Sequence, residues 1–175
     1  MIAALKAFDR ALGFALRWFC ILDLLALTAV LSAVVFIRFV PIWTLSWSDE
    51  ITEWLMAALI FMAAAELWRE NDHFKITMIS DRLAGRLSGR AFTLLLELLT
   101  AIFIACFALY SLDLTLGAGR TSPVLSWPMA WWYAPMPAAG FIMTAYALRN
   151  LWQGTAALCA GLREAAPAAR RRVSE

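Results

Sequence analysis

The stretch Arg38–Ile76, RFVPIWTLSWSDEITEWLMAALIFMAAAELWRENDHFKI, decides the fold. Arg38 closes one apolar run, a turn with Pro41, Trp43 and Trp47 follows, paired acids open a second run, and Arg69 and His73 close it. Tryptophan collects at the headgroup level of a bilayer because its ring is apolar while its N–H stays wet. The pattern predicts a membrane hairpin with an aromatic end and a cationic end, its two helices covering about 14–39 and 48–68.

Composition agrees with that hairpin and extends it. With 63% hydrophobic and 16% charged residues and a mean hydropathy of +0.72, the chain has too little polar surface to coat a soluble globule. A spanning helix needs roughly 20 mostly apolar residues. The 175 residues divide most naturally into an all-α integral membrane domain, 1–158, with four transmembrane helices, and a basic cytoplasmic tail, 159–175. The third and fourth helices are read at about 91–116 and 129–152, and the polar tail as disordered. The apolar run after Lys6, Arg10 and Arg17 is longer than a signal-peptide core and reads as an uncleaved first helix beginning near Phe14.

Between the second and third helices the sequence changes character. At 100° per residue Ile76, Ile79, Leu83 and Leu87 form one row, and Lys75, Arg82, Arg86 and Arg90 form a second beside it. An amphipathic helix lying along the membrane is expected over about 74–89. In the fourth helix, Pro135 and Pro137 should kink or loosen the first turns. Basic residues concentrate before helix one, between helices two and three, and after helix four, whereas the other connections hold only Arg38 and Arg120. By the positive-inside rule both termini and the interfacial helix are cytoplasmic.

The sequence offers little for catalysis. One histidine, His73, is too few for a two-His site, and no phosphate loop or nucleophile motif is present. His73 with Glu70 and Asp72 could touch a metal, but three polar residues clustered at a helix end read as a solvated cap. Cys20, Cys106 and Cys159 lie singly in apolar runs and read as small buried side chains. A net charge of +2 gives no reason to expect a nucleic-acid partner. Asp23, Glu66 and Glu97 fall near the inner boundary and Asp49, Glu50, Glu53 and Asp113 near the outer one, so they do not form a proton relay across the midplane. A buried charge costs several kcal/mol unless paired; pairing with basic residues or with a partner subunit is expected. Glu50 and Glu53 share a face with Trp54 nearby, and Arg38 is the obvious counter-charge for one of them.

Three anchors in order give a resemblance. Arg38, Trp47, Asp49 and Glu50 resemble the basic residue, Trp and paired acids that open helix two in the small membrane subunit of TRAP (tripartite ATP-independent periplasmic, DctQ-type) transporters. Arg69 and His73 are similar to that family's Arg-x-x-x-His closing of helix two. The stretch TSPVLSWPMAWWYAPMPAAG, Thr121 to Gly140, resembles the segment before its fourth helix. Relatives often carry two Glu after the Trp, where this chain has Asp49 and then Glu50.

The resemblance implies a scaffold subunit in the inner membrane of a bacterium or archaeon. Its implied partners are a large membrane subunit that moves as an elevator, and a periplasmic binding protein that delivers an organic acid. Sodium and substrate sites would belong to the large subunit, so no cofactor is expected here, and membrane lipids complete the surroundings. A partner surface is expected on Glu50, Glu53, Trp54 and Glu66 of helix two and on Trp131 and Trp132 at the start of helix four, with some of these acids satisfied across the interface. The rival reading is a four-helix membrane anchor of a redox complex with a quinone or haem site, for which one edge histidine is a poor axial-ligand set. A free-standing small transporter or channel would be expected to show midplane polar residues or internal repeats, and neither is found.

Overall fold

The computed structural model describes residues 2–40, 44–70 and 87–173, and every named element among them is helical. Chain order is α1 (Ile2–Phe39), α2 (Ser48–Glu70), α3 (Leu87–Leu116), α4 (Met129–Tyr133) and α5 (Pro135–Val173). Three helices are long and apolar enough to cross a membrane: Lys6–Phe39, Ser48–Glu70 and Phe92–Leu116. The first half of α5 does not reach that hydropathy, because prolines, aromatic residues and Arg149 dilute its apolar content.

Several boundaries differ from the sequence reading. The lead-in before Phe14 is helical and continuous with the first span; its Ala, Leu, Lys and Arg are strong helix formers, so nothing separates the two. α3 begins at Leu87, taking residues 87–89 that were assigned to the interfacial helix; the remainder of that helix, with Asp72 and His73, lies outside the described residues, as do Pro41 and Trp43. The tail expected to be disordered continues α5 to Val173, a stretch whose Ala, Leu, Arg and Glu favour helix. The disturbance expected at Pro135 and Pro137 is present as a break between two helices. α4 stops at Tyr133 and α5 starts with Pro135 at its first position, where the missing N–H would have had no intrahelical partner in any case.

α1 packs on α2, α2 packs on α5, and α5 packs on α3. Apart from Leu12, the buried or half-buried positions of α1 from Asp9 onward recur at alternating steps of four and three: Asp9, Gly13, Leu16, Cys20, Asp23, Leu27 and so on to Ile37. That 3.5-residue period is the seam of a coiled-coil-like contact, and the other residues of α1 from Phe14 onward are exposed. The core lies instead among α2, α3 and α5, where Ala65, Ile104, Ala139 and Met143 are buried and Phe61 stacks on Phe107 at 5.8 Å between ring centroids.

Small residues set the distance between helices there. A Cβ added to Gly140 would lie 3.0 Å from both the Cα and Cβ of Ala108. Such close approach of backbones replaces the hydrophobic driving force that lipid cannot supply. Further along, Gly154 on α5 faces Glu97 on α3. Residue numbers rise on α5 as they fall on α3, so the two helices run antiparallel over most of the length of α3.

Candidate functional site

Two polar constructions sit at opposite ends of the helices. At the end holding the N-terminus of α1 and the C-terminus of α2, the Arg69 guanidinium donates to the Glu66 carboxylate through Nε (2.8 Å) and Nη2 (2.9 Å). It also reaches Glu70 at 3.2 Å and Asp9 of α1 at 3.4 Å. Arg17 of α1 donates to Glu66 at 2.7 Å and pairs with Glu70. Tyr146 of α5 donates its hydroxyl proton to Asp9 at 2.5 Å, and Arg149 lies over the Tyr146 ring at 4.6 Å.

The helix spacing explains why these groups meet. Asp9, Gly13 and Arg17 follow one another at four-residue steps on α1, and Arg69 and Glu70 lie three and four residues after Glu66 on α2, so each trio shares a face. Gly13 makes room for the contact: a Cβ there would fall 2.4 Å from Arg69 Cζ. The side chains of Glu66 and Arg69 are only 11% and 13% exposed. In such surroundings removing one member strands a charge, at a cost of roughly 3–5 kcal/mol. The cluster therefore staples α1 to α2, with a second tie to α5.

At the other end Glu50 accepts hydrogen bonds from the backbone N–H groups of Val124 (2.8 Å) and Leu125 (3.0 Å). Those residues belong to the loop between α3 and α4, which closes on itself. Ser122 N–H donates to Trp127 O at 2.8 Å and Met129 N–H to Arg120 O at 2.9 Å, while Thr121 and Pro128 form an isolated bridge. Ser126 takes a φ of 55° to complete the turn, the left-handed conformation that L-residues adopt at a cost. The Trp54 indole donates to Trp131 O at 3.0 Å, and Trp127 packs edge-on against Trp132 at 6.0 Å. α2 thus holds the loop and the start of α4 in one arrangement.

Several expectations about the site change. Arg38 forms no ion pair with Glu50 or Glu53 among the described residues, because the turn delivers Glu50 to the loop amides instead. Glu50 and Glu66, expected to be satisfied across a subunit interface, are satisfied within the chain. Glu70, weighed as a metal ligand, is ion-paired with Arg17 and Arg69. Asp23 is buried on the α1 seam, and among the described residues it has no ion pair. Trp132 is buried and Trp54 half-buried, whereas Trp47, Asp49, Glu53 and Trp131 are exposed. Asp9, Gly13 and Tyr146 are members of the staple that the sequence reading does not single out, and Arg17 and Arg149 enter it only as topological charge. The signal available on α1 was Asp9 and Gly13, one turn apart on a seam whose one other charged residue is Asp23.

Residues 27–157, well over half of the chain, match the family described as tripartite ATP-independent periplasmic transporters, DctQ component. The chain belongs to this family. A comparison with curated proteins finds no match. In this DctQ component the matched span takes in the last third of α1, all of α2 and α3, the Glu50-clamped loop and most of the packed part of α5. Asp9, Gly13 and Arg17, the α1 half of the staple, precede it. The family is a transporter component and the chain carries long apolar helices, so the protein is a multi-pass membrane subunit.

Proposed function

We propose that this DctQ component is the static scaffold of a TRAP carrier, holding a large elevator subunit during sodium-coupled uptake of an organic acid delivered by a periplasmic binding protein. The observation that carries the reading is the pair of braces. Charged groups at both ends of the helices are directed inward to fix α1, α2 and α5 and the outer loop relative to one another, as a stationary support requires. Outside those braces α1 and α3 present broad apolar flanks, including Leu25, Phe36, Ile102 and Phe103, suited to lipid and to a neighbouring membrane protein.

In the same reading, α4 and the first half of α5 make the fourth crossing, its lower hydropathy tolerated because it is packed between α2 and α3. Both termini lie in the cytoplasm, the inner staple on the cytoplasmic side and the Glu50-clamped loop on the periplasmic side, in the inner membrane. The expected site residues Arg38, Trp47, Asp49, Glu53, Trp131 and His73 remain candidates for partner contact. Glu50, Trp54, Glu66, Arg69 and Trp132 serve it indirectly, by holding the shape. Family membership leaves the redox-anchor reading without support.

Co-purification tests the scaffold reading. The tagged chain should retain the large subunit, and Arg69→Ala, which cuts the staple, should lower that recovery together with transport while leaving substrate preference and sodium stoichiometry unchanged. Normal recovery with a shifted sodium dependence would make these charges coupling groups and overturn the scaffold reading.

A further inference from the structure

Among the described residues the charges around the N-terminal end of α1 do not balance. Asp9, Glu66 and Glu70 supply three negative charges, and Arg17, Arg69 and the Tyr146-stacked Arg149 supply three positive ones within the same connected cluster. Lys6 and Arg10 remain outside it, exposed and without an ion pair among the described residues. They are four residues apart, so their side chains rise from the same ridge about 5–6 Å from each other at Cβ.

The ridge continues with Phe14 and Trp18, at the same four-residue step. Both rings are exposed, 66% and 49%, and they lie beside each other at 5.9 Å between centroids. Each step of four residues advances about 6 Å along the helix axis. Two cations are thus followed, one and two turns deeper, by two aromatic faces, and then by Leu22 and Leu25, also exposed. Neither α2 nor α5 covers this ridge, since both meet α1 along the seam through Asp9 and Gly13.

We propose that the α1 ridge Lys6–Arg10–Phe14–Trp18 binds one anionic phospholipid of the inner leaflet. Its phosphodiester is held between the Lys6 ammonium and the Arg10 guanidinium, and an acyl chain lies along Phe14, Trp18 and Leu22. Arg gives a phosphate two parallel donors and Lys a point charge, while the headgroup depth suits the snorkelling reach of both stems. The order of groups along the ridge matches the order of groups along a phospholipid, and the unbalanced charge is of the sign that completes it. This inference rests on the orientation proposed above and not on the scaffold role.

Native mass spectrometry of the full chain, released from detergent containing equal amounts of phosphatidylglycerol and phosphatidylcholine, tests it. Wild type should retain one phosphatidylglycerol in preference to phosphatidylcholine. Each basic group near an anionic surface is worth roughly a factor of five, so Lys6→Gln with Arg10→Gln should reduce that preference about 25-fold. The conservative pair Lys6→Arg and Arg10→Lys should keep it, Trp18→Leu should weaken retention of both lipids, and Arg120→Gln, exposed in the loop at the opposite end of the helices, should change nothing. Equal loss with Arg120→Gln would reduce the effect to net charge. Displacement by millimolar inorganic phosphate would assign the cations to a soluble anion. Protection of Lys6 from amine-reactive reagents by the bound large subunit, with loss of the lipid, would make the ridge a protein interface. Any of these three results overturns the proposal.

Discussion

Gly13→Ala should destabilise the helix assembly, and the sign of its effect should reverse once Arg69 is gone. The added methyl would lie 2.4 Å from Arg69 Cζ and 2.6 Å from Nε and Nη2. The guanidinium must withdraw by about 1 Å or more to reach ordinary contact distance. Steric relief is cheap, since the obstacle is the far end of a flexible side chain. The loss lies in the bonds that the guanidinium gives up: Glu66 at 2.8 and 2.9 Å and Asp9 at 3.4 Å. A hydrogen bond to a charged partner contributes about 1.5–3 kcal/mol, and Arg17 still holds Glu66, so a loss of about 2–3 kcal/mol is expected. Alanine in place of glycine within a helix returns up to about 1 kcal/mol. The net cost is about 1–2 kcal/mol. In an Arg69→Ala background the clash vanishes, and Gly13→Ala should then stabilise by up to about 1 kcal/mol. Reversible unfolding of the four variants in mixed detergent–SDS micelles measures this cycle. A neutral Gly13→Ala in the native background, or the same cost in both backgrounds, would refute the role given to Gly13.

Three further expectations follow from the geometry. Glu50→Ala removes the acceptor for two adjacent amides, so hydrogen exchange at Val124 and Leu125 should accelerate while exchange in the α2–α3–α5 core stays unchanged; unaltered exchange at those two amides would mean the loop needs no clamp. Gly140→Val places a branched side chain against the Ala108 backbone at 3.0 Å and should cost about 1–3 kcal/mol by overpacking, whereas Gly119→Val, with nothing within 4 Å of its Cβ position, should leave the packing intact in the same unfolding measurement. Cysteine at Ser88 should resist an impermeant thiol reagent in intact cells and cysteine at Thr121 should react, in a background without native thiols; labelling of Ser88 from outside would reverse the orientation.

The helical hairpin was legible because membrane spans announce themselves by length and composition, and α2 was located to within two residues at its end. The limits of α1 and α5 were not, because hydropathy marks where a helix meets lipid rather than where its hydrogen bonding stops. Lys6 and Arg10 set the segment before Phe14 apart as an amphipathic lead-in, yet basic residues are good helix formers. α5 shows the same effect from the other side: Pro135, Pro137 and Gly140 depress its hydropathy while allowing it to pack closely on its neighbours.

At the site, residue types could be read but partners could not. Glu50 and Glu66 were recognised as acids needing compensation, and the nearest cation in sequence, or a second subunit, looked like the source. Glu50 is instead compensated by loop amides more than seventy residues away, contacts that no helical period encodes. Arg17 and Asp9 meet α2 only because helices one and two are antiparallel with this register. The register depends on which residue of α1 is small enough to admit a guanidinium, and Gly13 marks that place.

Uptake by proteoliposomes tests the scaffold claim most directly. The chain alone, the chain with its large subunit and binding protein, and the large subunit with binding protein alone would be compared under an inward sodium gradient with a labelled organic acid. The expected result is accumulation only when all three components are present, and none by the isolated chain at any gradient. Saturable, sodium-driven uptake by the isolated chain, or full transport without it, would contradict its assignment as the static support of the carrier.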